Sequence, residues 1–160
     1  MSAVSPTDLA EHELLRGFSD RHIAQLASVA TLVTAEPGFR VFDEGGRADR
    51  FWLIKTGVVA LDLHVRGPQR LIVETLGGGE VIGLSWWSPA HVWEFGAEAI
   101  QPTTAFELGT GVVIEMCDAD PTLGYQFTRR LMTVAVHRLH ATRVRMLDIY
   151  ASSHPLVSGS

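Results

Sequence analysis

Cysteine is almost absent: Cys117 is the single thiol in 160 residues, so no disulfide can form within the chain and a reducing compartment, the cytoplasm, is the expected location. Long apolar runs are missing too. No stretch approaches the ~18 consecutive apolar residues of a spanning helix, and Met1 to Glu13 carries Asp8, Glu11 and Glu13 instead of a signal-peptide core. Cations are scarce: 13 Lys and Arg stand against 18 Asp and Glu, a net charge of −5, which repels nucleic acid and anionic membranes. The shortage is also local, with no lysine or arginine between Arg70 and Arg129. Finally, neither glycine nor proline occurs between Gly124 and Pro155, so nothing there interrupts a helix.

Recognisable catalytic arrangements are lacking as well. The Ser, His and Asp residues show no nucleophile elbow, and Gly77-Gly78-Gly79 lacks the lysine and helix of a phosphate-binding loop. Cys117 lies among acidic neighbours, Asp118 and Asp120, which raise a thiol pKa and argue against a nucleophile. His137 and His140 are three apart, but no cysteine or carboxylate at helical spacing completes a metal set. They read as solvated helix-face residues. No metal, no enzyme activity and no membrane association are expected.

What is present is a run of short apolar strands. Phe39–Phe42, Arg50–Lys55, Val58–Leu63 and Arg70–Leu76 are separated by turns at Glu44-Gly45-Gly46, Thr56-Gly57, Arg66-Gly67-Pro68 and Gly77-Gly78-Gly79. Strands at such close spacing predict a small sandwich or barrel. Thr31–Thr34 opens the sheet, Glu36-Pro37-Gly38 is a turn, and Thr103–Leu108 supplies the last strand. In between, Trp93, Phe95, Ala97 and Ala99 alternate with Glu94, Gly96, Glu98 and Ile100, predicting a strand with the first set inward and both glutamates outside. The fold class is mainly β with flanking helices.

Helices bracket the strands. Residues 7–15 read as a first helix stopped by Gly17, and Ser19 caps a second with Ile23, Leu26, Ala27 and Ala30 on one face. Thr110 is the expected cap of a short helix over Val112–Met116, and Asp120-Pro121 starts a long one reaching Ile149. That helix carries two apolar faces. Leu123, Phe127, Leu131 and Val134 could dock on the β unit, while Tyr125, Thr128, Met132, Ala135, Leu139, Thr142, Met146 and Ile149 follow the spacing of a coiled-coil seam. Homodimerisation through this seam is the expectation, the alternative being one wide stripe facing the core. The organisation is thus one domain over 1–150, with N-terminal helices in 7–30, the β unit in 31–108, helices in 110–150 and a frayed tail at 151–160.

The run Glu44-Gly45-Gly46-Arg47-Ala48-Asp49-Arg50-Phe51-Trp52-Leu53-Ile54-Lys55-Thr56-Gly57-Val58-Val59 closely resembles the E-G-x-x-A-D-x-F/Y-x-L/I-I-x-x-G-x-V segment of cyclic nucleotide-binding domains. Leu76-Gly77-Gly78-Gly79-Glu80-Val81-Ile82-Gly83 resembles the L-x-x-G-D/E-x-F-G that follows it. The helix after Asp120-Pro121, with Arg129-Arg130-Leu131 and Arg138-Leu139, is similar to the helix through which catabolite-activator and FNR regulators dimerise. The resemblance covers roughly residues 13 to 150. It implies a β-roll, a double-stranded β-helix flanked by helices, with a ligand pocket formed by the roll and the loop after Gly83.

Two departures bear on function. In nucleotide-binding members a glutamate in the loop holds the ribose and an arginine pairs with the cyclic phosphate; here those positions are Leu84 and Trp93. An arginine–phosphate contact is commonly worth ~1.5–3 kcal/mol, and losing both anchors weakens binding by roughly two to four orders of magnitude. Three of the four tryptophans, Trp86, Trp87 and Trp93, lie in this loop. Rigid aromatics suit a flat ligand or a protein surface, or they plug the old pocket. The candidate pocket residues are Gly83, Leu84, Ser85, Trp86, Trp87, His91, Trp93 and Phe95. The expected function is a regulatory or sensor module acting through an unidentified small ligand or a partner protein. Cyclic nucleotide as cofactor is an alternative, and ligand-free docking is another. The helix-turn-helix that follows the long helix in related regulators has no room in the ten residues after Tyr150, so direct DNA binding is not expected.

Overall fold

The computed structural model describes residues 2–153. Two antiparallel sheets form a roll. The five-stranded sheet has the order β1-β2-β9-β4-β7, with β1 Ser2–Ala3, β2 Ala30–Ala35, β4 Arg50–Thr56, β7 Val81–Ile82 and β9 Thr103–Gly109. The four-stranded sheet has the order β3-β8-β5-β6, with β3 Arg40–Phe42, β5 Val58–Arg66, β6 Gln69–Gly77 and β8 Gly96–Ala99. Mainly β with flanking helices and a long C-terminal helix is therefore the observed class.

The larger sheet is covered on both faces, which explains why Phe51-Trp52-Leu53-Ile54 is a continuous apolar run, all four residues buried. Phe51 pairs with Leu108 and Leu53 with Phe106 on the outer face, where Phe51 meets Phe127 at a centroid distance of 5.9 Å. Trp52 pairs with Glu107 and Ile82, and Val33 with Ala105, on the face that looks into the roll. Gly57 forms the tight turn between β4 and β5: its φ is +99°, and a Cβ would lie 2.5 Å from the Pro102 carbonyl.

The helices cover the outer face. Pro6–Ala10 forms α1, shorter than the predicted 7–15. His12 takes an extended conformation, and its Nδ1 accepts the Leu14 amide at 3.2 Å to start a separate turn over Glu13–Leu15. Asp20–Val29 forms α2, capped as expected by Ser19, whose Oγ accepts the His22 amide at 3.2 Å. Ile23, Leu26 and Ala27 are buried on one face. Thr110–Ala119 forms α3, but Gly109 occupies the cap position and Thr110 is buried inside the first turn, not the cap the sequence predicted.

Pro121–Ser153 forms α4, entered through Asp120, whose Oδ1 accepts the Leu123 amide at 3.4 Å. Gly124 lets α3 and α4 close up, since a Cβ there would lie 2.8 Å from the Cys117 carbonyl. Leu123, Phe127 and Leu131 are buried, as the docking face requires, and Val134 is partly so. The seam is uncovered: Tyr125, Met132, Leu139, Met146 and Ile149 are 51–70% exposed. The helix passes the expected Ile149 end and takes in residues 151–153 of the predicted tail; 154–160 lie outside the described residues.

One further expectation changes: the predicted strand at Trp93–Ala99 begins only at Gly96. Glu98 lies, as expected, on the face opposite the buried Ala97 and Ala99, and there it has charged neighbours. It lies 3.4 Å from Arg40 and 3.8 Å from Arg70. Arg40 also makes a bidentate pair with the buried Asp62. Gly96 makes that pair possible, because a Cβ would overlap the Arg40 guanidinium and the Asp62 carboxylate. The Arg40 guanidinium is held more basic than usual, first by the hydrogen bond to Asp62, with Asp43 adding to it against the cost of burial.

Candidate functional site: the loop after Gly83 and the helix across it

The loop starts from a reversal that only glycine makes without strain. Gly83 has φ +95°, and a Cβ would lie 2.9 Å from the Arg50 carbonyl and 3.2 Å from the Trp93 ring. Leu84–Trp87 then form a single 3-10 turn. Ser85 Oγ accepts the Glu94 amide at 3.3 Å and so ties the two ends of the loop together. On the return leg His91, at φ +49°, presents its carbonyl to the Ala48 amide at 2.8 Å, and Trp93 exchanges backbone bonds with Gly45 and Gly46 at 2.8 Å.

The three tryptophans part company. Trp86 is buried between sheet and helix, stacked on Phe51 at 5.5 Å, its Nε1 without an acceptor among the described residues. Trp87 stands edge-on to it and is 51% exposed. Trp93 enters the roll and stacks on Phe42 at 4.0 Å. A 3-10 turn rotates successive side chains by about 120°, so neighbours such as Trp86 and Trp87 face apart.

Between the loop, the small sheet and α4 lies a pocket of 290 Å³. Of the eight residues named from sequence, Gly83, Leu84, Ser85 and Phe95 line it; Trp86, Trp87, His91 and Trp93 do not. The pocket gains Leu61 and Glu74 from the small sheet, and Arg138, Leu139 and Thr142 from α4. Sequence order hid these. The arginine-free interval from Arg70 to Arg129 leaves the loop without a cation of its own, but the fold lays Arg138 over it.

That guanidinium is not free. Arg138 Nη2 donates to the Val81 carbonyl, Arg145 donates to the Val73 carbonyl at 3.2 Å, and Arg145 lies 3.8 Å from Glu74. Arg138 and Arg145 are thus straps from α4 to β7 and β6. Burial lowers the Arg138 pKa, against the opposing charges of Glu74 and Glu80. Glu74 and Glu94 line the pocket beside Arg138, and Glu74 is met by Arg145. The Trp93 indole lies in the roll and does not line this pocket.

His137 and His140 are exposed, and no cluster of three metal-ligating residues occurs among the described residues. The Cys117 thiol is pushed up, first by burial and then by Asp118 and Asp120. No helix among the described residues is long and apolar enough to cross a membrane.

Comparison with known proteins agrees with this architecture. A cyclic nucleotide-binding domain from Methylobacillus flagellatus KT superimposes with a TM-score of 0.79 at 22% identity, covering 89% of this chain and 83% of that one. The sensor domain of the transcriptional regulator DNR from Pseudomonas aeruginosa gives 0.68 at 19% identity over 84% and 90% of the two chains. The catabolite activator protein of Thermus thermophilus gives 0.68 at 19%, over 87% and 63%. The fold is that of cyclic nucleotide-binding domains. In sequence, the chain is 32% identical over 151 residues to a protein named Glutaminase 1 from Bradyrhizobium diazoefficiens. The match takes in 92% of this chain but only 23% of that relative's length. No family model matches the chain.

Proposed function

We propose that this chain is a non-catalytic regulatory module whose loop pocket does not hold cyclic nucleotides in the manner of its structural neighbours, and which responds to another ligand or to a partner protein. The observation that supports this reading is the pocket wall, which holds Leu84, Glu74 and Glu94 and does not include Trp93; on the family resemblance Leu84 and Trp93 fall where a ribose acceptor and a phosphate-pairing arginine are expected. Arg138, the cation within reach, is engaged with the Val81 carbonyl. A likeness confined to part of a glutaminase polypeptide fits a module joined or docked to other activities, and it assigns no glutaminase activity to this chain.

The same reading includes dimerisation through α4. Met132, Leu139, Met146 and Ile149 form an apolar line at coiled-coil spacing, and Leu139 belongs to both this seam and the pocket wall. A ligand in the pocket would then be felt at the dimer seam. Docking without ligand is the second reading, favoured by the burial of Trp86 and Trp93 and the exposure of Trp87 beside Tyr125. Calorimetric titration with cyclic AMP and cyclic GMP tests the proposal: no heat of binding up to ~1 mM is expected, and a Kd of ~10 µM or tighter refutes it.

A further inference from the structure

On the other side of Phe42 and Trp93 from the loop pocket, the roll itself contains a second hollow, of 480 Å³. That volume falls within the ~300–1,000 Å³ of small-molecule sites. The space exists because the inner face of the larger sheet carries Ala35, Thr103 and Ala105 where a filled sandwich would carry bulkier side chains.

The walls are flat and set in place. Phe42 stacks on Trp93 at 4.0 Å with planes 16° apart, and Trp52 lies 5.9 Å from Trp93. Trp52 is fixed by donating from Nε1 to Glu107 at 2.9 Å. Charge is gathered where the turn between β3 and β4 borders the hollow, in Arg47, Asp49 and Arg50, with Glu107 from β9. Arg50 is committed, 3.5 Å from Asp49 and 3.4 Å from Glu107. The exposed Arg47 has no side-chain partner among the described residues, so it is the cation available to an incoming group.

We infer that this hollow binds a planar aromatic carboxylate, with its rings against Phe42, Trp52 and Trp93 and its carboxylate directed to Arg47. Flat aromatic walls favour a flat guest. Arg50 stands between the two carboxylates, Asp49 and Glu107, and Trp52 also donates to Glu107, so among the charged groups lining the hollow Arg47 is the one with no side-chain partner among the described residues and the donor that a carboxylate would meet. The inference does not rest on rejection of cyclic nucleotides by the loop pocket, which lies across the aromatic wall.

The test is calorimetric titration of the full chain with 2-naphthoate, paired with 2-(aminomethyl)naphthalene as its cationic counterpart. Saturable naphthoate binding with a Kd of ~100 µM or tighter is expected, with the amine at least ~10-fold weaker. Arg47→Ala, an exposed change that leaves the core intact, should weaken naphthoate ~10-fold. Ala105→Phe, which fills the hollow, should abolish binding, with the thermal transition measured to show that this variant is folded. No naphthoate binding at ~1 mM, equal affinity for the amine, or unchanged affinity in Arg47→Ala overturns the inference. The cyclic nucleotide titrations are scored separately and decide the loop pocket alone.

Discussion

The two hollows on either side of the Phe42–Trp93 stack are built from different materials. The loop pocket borrows part of its wall from α4, through Arg138, Leu139 and Thr142, and it is edged by Glu74 and Glu94. The roll cavity is made by the sheets and their connecting turns, with aromatic walls and charge gathered at one side. The first therefore changes whenever the helix moves; the second is held by sheet hydrogen bonds and is ready before any ligand arrives. One aromatic partition separates the two spaces.

Removing the partition is the most disruptive way to challenge this picture. Trp93→Ala deletes a side chain that is 4% exposed and takes from Phe42 its stacking partner, so a loss of ~3–5 kcal/mol in urea denaturation is expected. A loss below ~1 kcal/mol would mean that the partition contributes little. Next in size is the helix side. Leu139→Asp should convert a dimer to monomer in sedimentation velocity, at a cost of ~2 kcal/mol or more in association, which is ~30-fold or more in Kd. It should leave naphthoate affinity in the roll unchanged, since Leu139 does not line that cavity.

Much of this was legible in the residues. The buried quartet Phe51–Ile54, the Ser19 cap and the docking set Leu123, Phe127 and Leu131 follow from local pattern, and the structure places them accordingly. Residues brought in from afar were not legible. Arg138 lies far along the chain from the loop, and no periodicity signals that its guanidinium reaches the Val81 carbonyl. The opposite fates of Trp86 and Trp87 follow from a four-residue 3-10 turn too short to leave a repeat in the sequence. Alternation put Glu98 on the outer face, where it lies, but it carries no record of the Arg40–Asp62 pair beside it.

Acidity gives a smaller handle on the scaffold, through the N-terminal helical segment packed beside β4. His12 is 5% exposed, and burial lowers its pKa from the ordinary 6.5 despite the carbonyls of Glu80 and Ile54 and the charge of Glu13, which pull the other way. The unfolded chain therefore binds the proton first. Stability should fall as pH drops from 6.5 toward the lower folded value, and His12→Asn, which keeps an acceptor for the Leu14 amide, should flatten that slope in chemical denaturation followed across pH 5–8. An unchanged slope would show that His12 titrates as if exposed. Smallest of all, Trp87→Ala should shift stability by no more than ~0.5 kcal/mol, because half of that ring already faces solvent. A larger loss would place Trp87 in the packing of the core.

The claim at the centre is that the space beneath Gly83 is no longer a cyclic phosphate site. Amide chemical shifts report on it directly in the ¹⁵N-labelled protein titrated with cyclic AMP to ~1 mM. The account predicts that Gly83, Leu84 and Ser85 stay where they are; saturable shifts at these three amides at micromolar nucleotide would contradict it.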